Sequence, residues 1–144
     1  CGLSSNCPKD HFPVRMYTGK KNTELPKICF KGRYVVAQDL NDAGRGVIVV
    51  VVNIESGAIL NVKRFDTYEN SAKLVNLLKL VSSSEFIIAI AHDEAQTALS
   101  DEAKNILTSF GSSFISKLGF RDVWVFVGKP NLSGFSPYED VRNC

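Results

Sequence analysis

The sequence is poor in the features that mark specialised chains. It has one methionine, one tryptophan and two histidines in 144 residues. No apolar run approaches the roughly 18 residues of a membrane-crossing helix, so no insertion into a membrane is expected. The 17 basic and 15 acidic side chains give a net charge of only +2 and mix along the chain. Phosphate backbones need clustered Lys and Arg, so nucleic acid is not expected as a partner. There is no CxxC pair and no histidine at ligand spacing, which argues against a metal site. A GxSxG elbow, a phosphate loop and an HExxH helix are all missing, so neither a cofactor nor enzymatic activity is expected. No initiator Met or signal-like segment precedes Cys1, and the chain reads as a processed product.

What is present is a set of buried-looking strands. From Val47 to Ile54 the residues are almost all β-branched. A half-exposed strand would alternate apolar and polar residues, so this run reads as a strand buried on both faces. Gly57 can supply the positive φ of a three-residue hairpin loop, which would fold Ala58–Phe65 back antiparallel. Phe86–Ala91 and Val123–Val127 read as further interior strands.

Upstream, Phe12–Tyr17 and Ile28–Phe30 read as edge strands, because Pro13 and Pro26 lie in or beside them. Tyr34–Ala37 is a third short strand. Leu74, Leu77, Leu78 and Val81 repeat at helical spacing after a candidate N-cap at Asn70. Ser100, Asp101 and Glu102 open a second helix, which Gly111 closes. Ser113–Leu118 reads as a shorter helical turn, and the chain beyond Gly128 as irregular. The length fits one domain over residues 1–144.

Cys1, Cys7 and Cys29 crowd the N-terminal fifth, and Cys144 is the last residue. Their even number favours disulfides and an oxidising compartment, with three pairings open. Every pairing ties Cys144 to the N-terminal region, a closure worth about 4 to 5 kcal/mol in the chain-entropy model. Asn131-Leu132-Ser133 is a candidate N-glycosylation sequon.

Three charged clusters flank interior strands: Gly44-Arg45-Gly46, His92-Asp93-Glu94 and Phe120-Arg121-Asp122. If these strand ends share one side of the sheet, Arg45, Asp93 and Arg121 converge. Guanidinium forks beside a carboxylate suit a ligand dense in hydroxyls, with Tyr68, Phe120 or Trp124 offering an aromatic face to a sugar ring. The alternative is a structural Arg-Asp-Arg network that closes the sheet end. His92 beside Asp93 reads either as half of an acid/base pair or as a hydrogen-bonded side chain.

In their order and spacing, several motifs resemble the ILEI family of secreted, cytokine-like proteins (interleukin-like inducers of epithelial-mesenchymal transition). In the N-terminal region these are Cys1-Gly2-Leu3, Cys7-Pro8, His11-Phe12 and Pro26-Lys27-Ile28-Cys29. In the core they are Gly44-Arg45-Gly46, Phe65-Asp66, Asp101-Glu102-Ala103, Leu118-Gly119-Phe120-Arg121-Asp122, Trp124-Val125-Phe126 and Ser136-Pro137.

The resemblance implies an α+β fold in place of the parallel α/β arrangement that the alternation of elements suggests. Two facing, mostly antiparallel β-sheets would be lined by about three short helices and stapled by Cys1–Cys29 and Cys7–Cys144. It also implies a secreted, non-enzymatic signalling protein that binds a cell-surface receptor or a glycoprotein glycan. The same domain resembles the stem module of the protein O-mannose N-acetylglucosaminyltransferase. That likeness carries the alternative of a carbohydrate-binding module, with Arg45, Asp93 and Arg121 as sugar contacts. Some relatives carry an unpaired cysteine near the position of Val127, and none stands here, so a covalent dimer is not expected.

Overall fold

A computed structural model describes residues 11–18, 24–37, 45–66, 71–92, 99–119 and 122–142. Strands β1 (Val14–Tyr17), β2 (Lys27–Phe30) and β3 (Arg33–Val36) form a three-stranded antiparallel sheet. Strands β4 (Gly46–Asn53), β5 (Ile59–Phe65), β6 (Glu85–His92), β7 (Val123–Gly128) and β8 (Glu139–Arg142) form a second sheet in the order β5-β4-β6-β7-β8. Every pairing in it is antiparallel. Helices α1 (Ala72–Leu80) and α2 (Asp101–Ser109) and a 3-10 turn at Ile115–Lys117 complete the regular structure. The fold is therefore α+β with two antiparallel sheets, as the family resemblance implies.

The larger sheet is the middle layer of three, which explains the unbroken apolar runs. Successive strand side chains point to opposite faces. Val47, Val49 and Val51 of β4 join Leu74, Leu78, Ala103 and Leu107 in the helix-side core. Ile48, Val50 and Val52 join Ile28, Phe30 and Val36 under the smaller sheet. On β6, Ile87, Ala89 and Ala91 face the helices, whereas Phe86, Ile88 and Ile90 face the small sheet. Both faces of β4 and β6 are thus covered, and no polar alternation remains to be seen in the sequence.

The β4–β5 turn carries Gly57 at φ +70°. Its loop is one residue longer than the spacing predicts, Ile54 to Gly57, closed by Asn53 N–H to the Ala58 carbonyl. The Asn53 side chain lengthens the turn by accepting from the Glu55 and Ser56 amides at 3.0 and 2.9 Å. In the small sheet, β1 is an edge strand as expected, but β2 lies between β1 and β3. Pro26 just precedes β2 and removes no ladder donor, so it does not force an edge position. A tight two-residue turn, Lys31 (φ 54°) and Gly32 (φ 80°), joins β2 to β3.

The first helix begins at Ser71, one residue later than the candidate cap Asn70, which lies outside the described residues. Ser71 makes no side-chain cap bond, and its hydroxyl instead accepts from the Ser100 amide at 2.9 Å. Ser100 in turn caps α2 through the Ala103 amide. The two helix starts are therefore linked. α2 ends as expected at Gly111, with Gly111 N–H to the Thr108 carbonyl and Ser112 N–H to the Leu107 carbonyl, the paired bonds of a Schellman motif.

Strand β8 departs from the expected irregular tail. Glu139-Asp140-Val141-Arg142 has weak β-propensity, but it pairs as an edge strand where β7 would otherwise expose its ladder groups.

Candidate functional site

The candidate site grows from the end of the β4–β5 hairpin. Gly46 sits at φ +105°, and a Cβ there would lie 2.0 Å from the Phe65 carbonyl oxygen. Only glycine lets the two backbones approach this closely. That approach sets Arg45 against Asp66 in a two-pronged ion pair, Nε to Oδ1 at 3.1 Å and Nη2 to Oδ2 at 2.8 Å. Arg64 steadies the same corner by donating from Nη1 to the Arg45 carbonyl at 2.8 Å. The Arg45 and Asp66 side chains are 37% and 28% exposed, so the pair meets solvent on one side. Such a pair offers donors and an acceptor side by side with no net charge, which matches vicinal hydroxyls better than a bare anion.

Asp66 and Arg64 are the site residues that sequence reasoning did not assign. Counting outward from the Gly57 turn would have found the first, because Val47 pairs with Phe65 and so brings the next residues of both strands together.

The register carries this end across the sheet. Gly46 pairs with His92, and Ala91 pairs with Trp124, so the start of β4, the end of β6 and the start of β7 share one side. Asp93 and Arg121, the chain neighbours of these ends, lie outside the described residues, as do Tyr68 and Phe120.

Two other sequence expectations meet different fates. His92 is 1% exposed, and its Nδ1 lies 2.7 Å from the Thr18 carbonyl. The carbonyl can only accept, so Nδ1 carries the hydrogen, and the hydrogen-bonded alternative is the one observed. Trp124 cannot offer a face to a sugar: it is fully buried, stacked on Phe126 at 5.3 Å, with its indole N–H on Glu139 Oε2 at 2.7 Å.

Glu139 gathers further donors, the Ser112 hydroxyl on the same oxygen and the Ser113 amide on Oε1 at 2.7 Å. It thereby pins β8 to the loop after α2. Asn131 is exposed in the turn after β7 at φ +60°, a conformation Asn tolerates. Cys29 is buried and disulfide-bonded. Cys1, Cys7 and Cys144 lie outside the described residues, so neither implied staple can be traced. Among the described residues no group of three His, Cys, Asp or Glu side chains could hold a metal, and no helix is long and apolar enough to cross a membrane.

Residues 45–131 match the family described as interleukin-like EMT inducer. The chain is 36% identical to Protein FAM3D of Homo sapiens over 140 residues, covering 96% of this chain and 62% of that protein. It is 35% identical to Protein FAM3C of Danio rerio over 145 residues, covering 99% of this chain and 64% of that protein, and the FAM3C of Homo sapiens matches to the same extent. The chain thus spans under two-thirds of the length of these curated relatives. The matched segment opens at Arg45 itself and takes in β4 to β7, the strands whose ends build the candidate site. The chain belongs to the interleukin-like EMT inducer family.

Proposed function

We propose that this protein is a secreted, cytokine-like signal that acts by binding a cell-surface partner without catalysis, and that the Arg45 end of the central sheet is its recognition site. The observation that carries the reading is the half-exposed Arg45–Asp66 pair, held by the Gly46–Phe65 backbone contact inside the segment shared with the family. The family description, interleukin-like, supports the signalling role. The burial of His92 supports a binding role over an acid/base one, since its ring does not reach solvent. On this reading residues 1–144 act as one domain, stapled by Cys1–Cys29 and Cys7–Cys144 and open to glycosylation at Asn131.

The test is saturable binding of labelled protein to intact cells. Arg45→Ala should lower the affinity at least tenfold without unfolding the chain. Undiminished binding by that variant would move the recognition site elsewhere.

A second reading is favoured by the shared end of β4, β6 and β7: Arg45, Asp93 and Arg121 together hold a neutral sugar, and the cell-surface partner is a glycoprotein glycan. The pairing of Gly46 with His92 and of Ala91 with Trp124 supports it by bringing the flanking strand ends together. A glycan array distinguishes the two readings. Binding by the wild type that is lost in Arg45→Ala and Arg121→Ala supports the lectin role; no binding, or binding indifferent to both changes, removes it.

A further inference from the structure

The chain from Lys129 to Tyr138, which joins β7 to β8, is pinned at several points and still leaves aromatic surface in solvent. The Lys129 amide donates to the Phe110 carbonyl at 3.1 Å, and the Ser136 amide donates to the Gly111 carbonyl at 2.9 Å. The Ser136 hydroxyl donates to the Val127 carbonyl and accepts from the Tyr138 amide at 3.1 Å. Leu132 and Ser136 close on one point of the fold: a Cβ at Gly111 would lie 2.6 Å from Leu132 Cδ2 and 3.1 Å from the Ser136 nitrogen. Their inward packing leaves Asn131 and Phe135, the residues just before each, on the outside.

Phe135 is 73% exposed, more than any other phenylalanine or tyrosine among the described residues. The bonds that close the loop run through backbone groups and Ser136, and none of them uses the ring. Asn131 stands in the turn at Pro130 and Asn131 with φ +60°, and it opens the sequon Asn131-Leu132-Ser133, whose Asn and Ser are both exposed. Gly134, at φ +81°, bends the chain between the sequon and Phe135. Four residues span at most about 14 Å even when extended, so the bend holds the phenyl ring within reach of a sugar on Asn131.

We infer that Asn131 carries an N-linked glycan whose innermost N-acetylglucosamine lies against Phe135, so that the exposed ring is a platform for the chain's own sugar. The inference rests on the secreted reading proposed above, because the secretory route supplies the sugar donor. In the transfer, the Asn131 side-chain nitrogen attacks C1 of a lipid-diphosphate-linked oligosaccharide. The C1–N bond forms, the C1–O bond to the diphosphate breaks, the lipid diphosphate leaves, and one amide proton is lost. The apolar face and acetyl methyl of the first sugar then cover the phenyl ring and remove that surface from water. The glycan stands clear of the Arg45 site: β7 ends at Gly128, opposite Ile87, whereas Gly46 pairs with His92 at the other end of β6.

The experiment expresses the chain behind a secretory leader in cultured animal cells. Peptide mass spectrometry of the exported protein should find Asn131 occupied in wild type and in Phe135→Ala, and Asn131→Gln should migrate as the bare chain. In the glycosylated wild type, the protons of the innermost sugar should show upfield ring-current shifts and nuclear Overhauser contacts to Phe135, and both should vanish in Phe135→Ala. Enzymatic removal of the glycan should lower Tm by about 2 to 4 °C in wild type, the size of one modest apolar contact in a domain of this length, and by less than half as much in Phe135→Ala. Tyr138→Ala, which removes the other exposed ring of the loop, should keep the wild-type difference. Exported protein with a bare Asn131, a glycan whose sugar protons feel no ring, or an equal loss of Tm in wild type and Phe135→Ala would overturn the inference. Undiminished cell-surface binding by Arg45→Ala would overturn the recognition site proposed above and leave this result standing.

Discussion

Two carboxylates, Glu139 and Asp66, show how one chemistry is put to different ends. Glu139 accepts from an indole N–H, a serine hydroxyl and a backbone amide contributed by β7 and the loop after α2. These donors are uncharged and belong to packed parts of the fold, so the group works as a fastener. Asp66 takes its partner from a guanidinium beside the β4–β5 backbone contact, and the pair opens to solvent. The difference lies in the donors: loss of Glu139 strands buried groups, whereas loss of the Arg45 fork exposes charges that water can satisfy.

The largest expected effect comes from the backbone beneath the Arg45 pair. Gly46→Ala drives a methyl into the Phe65 carbonyl and should cost about 3 kcal/mol or more, read as a drop in the urea midpoint, and should abolish cell-surface binding as well. Glu139→Ala comes next. It leaves the Trp124 indole and the Ser112 hydroxyl without their acceptor and should cost about 2 to 3 kcal/mol, with a shifted tryptophan emission. Glu139→Gln, which keeps one acceptor oxygen, should cost less.

Arg45→Ala should change stability by less than about 1 kcal/mol while removing binding, the reverse of the Glu139 outcome. A large loss of stability in that variant would erase the contrast, because the pair would then be a fastener too.

The smallest effect concerns a third carboxylate, on the exposed surface. Glu24 holds the Tyr17 hydroxyl in its hydrogen bond, which raises the phenol above its usual 10.0. The folded state keeps that proton longer than the unfolded chain. Any stability it contributes is therefore present below pH 10 and is lost as pH climbs through the raised value. An ultraviolet titration should show Tyr17 ionising late, a phase that disappears in Tyr17→Phe and moves to lower pH in Glu24→Gln.

Much of the architecture was legible because it rests on local rules. The runs at Val47 and Phe86 announced doubly covered strands, the Leu74 to Val81 spacing announced α1, and Ser100 and Gly111 marked both ends of α2. The misreadings have a common cause. Pro26 looked like an edge marker, Asn70 like a cap and Glu139–Arg142 like loose chain. In each case the decision depended on a neighbour distant in sequence: the β3 strand beside β2, the Ser100 amide on the Ser71 hydroxyl, and the open edge of β7 with Trp124 waiting for an acceptor.

The candidate site divides in the same way. Arg45 stood out between two glycines, yet its ion-pair partner lies 21 residues away and emerges only from the hairpin register. Trp124 looked available for a ligand because burial is not written in a residue's identity.

The sequence by itself determined the strands and helices other than β8, and which faces are apolar, because periodicity and capping act over a few residues. The tertiary structure alone decided which polar groups meet. It joined Arg45 to Asp66 and closed Trp124 over Glu139. Those encounters depend on strand order and register, and these are fixed when two apolar cores are packed against opposite faces of one sheet.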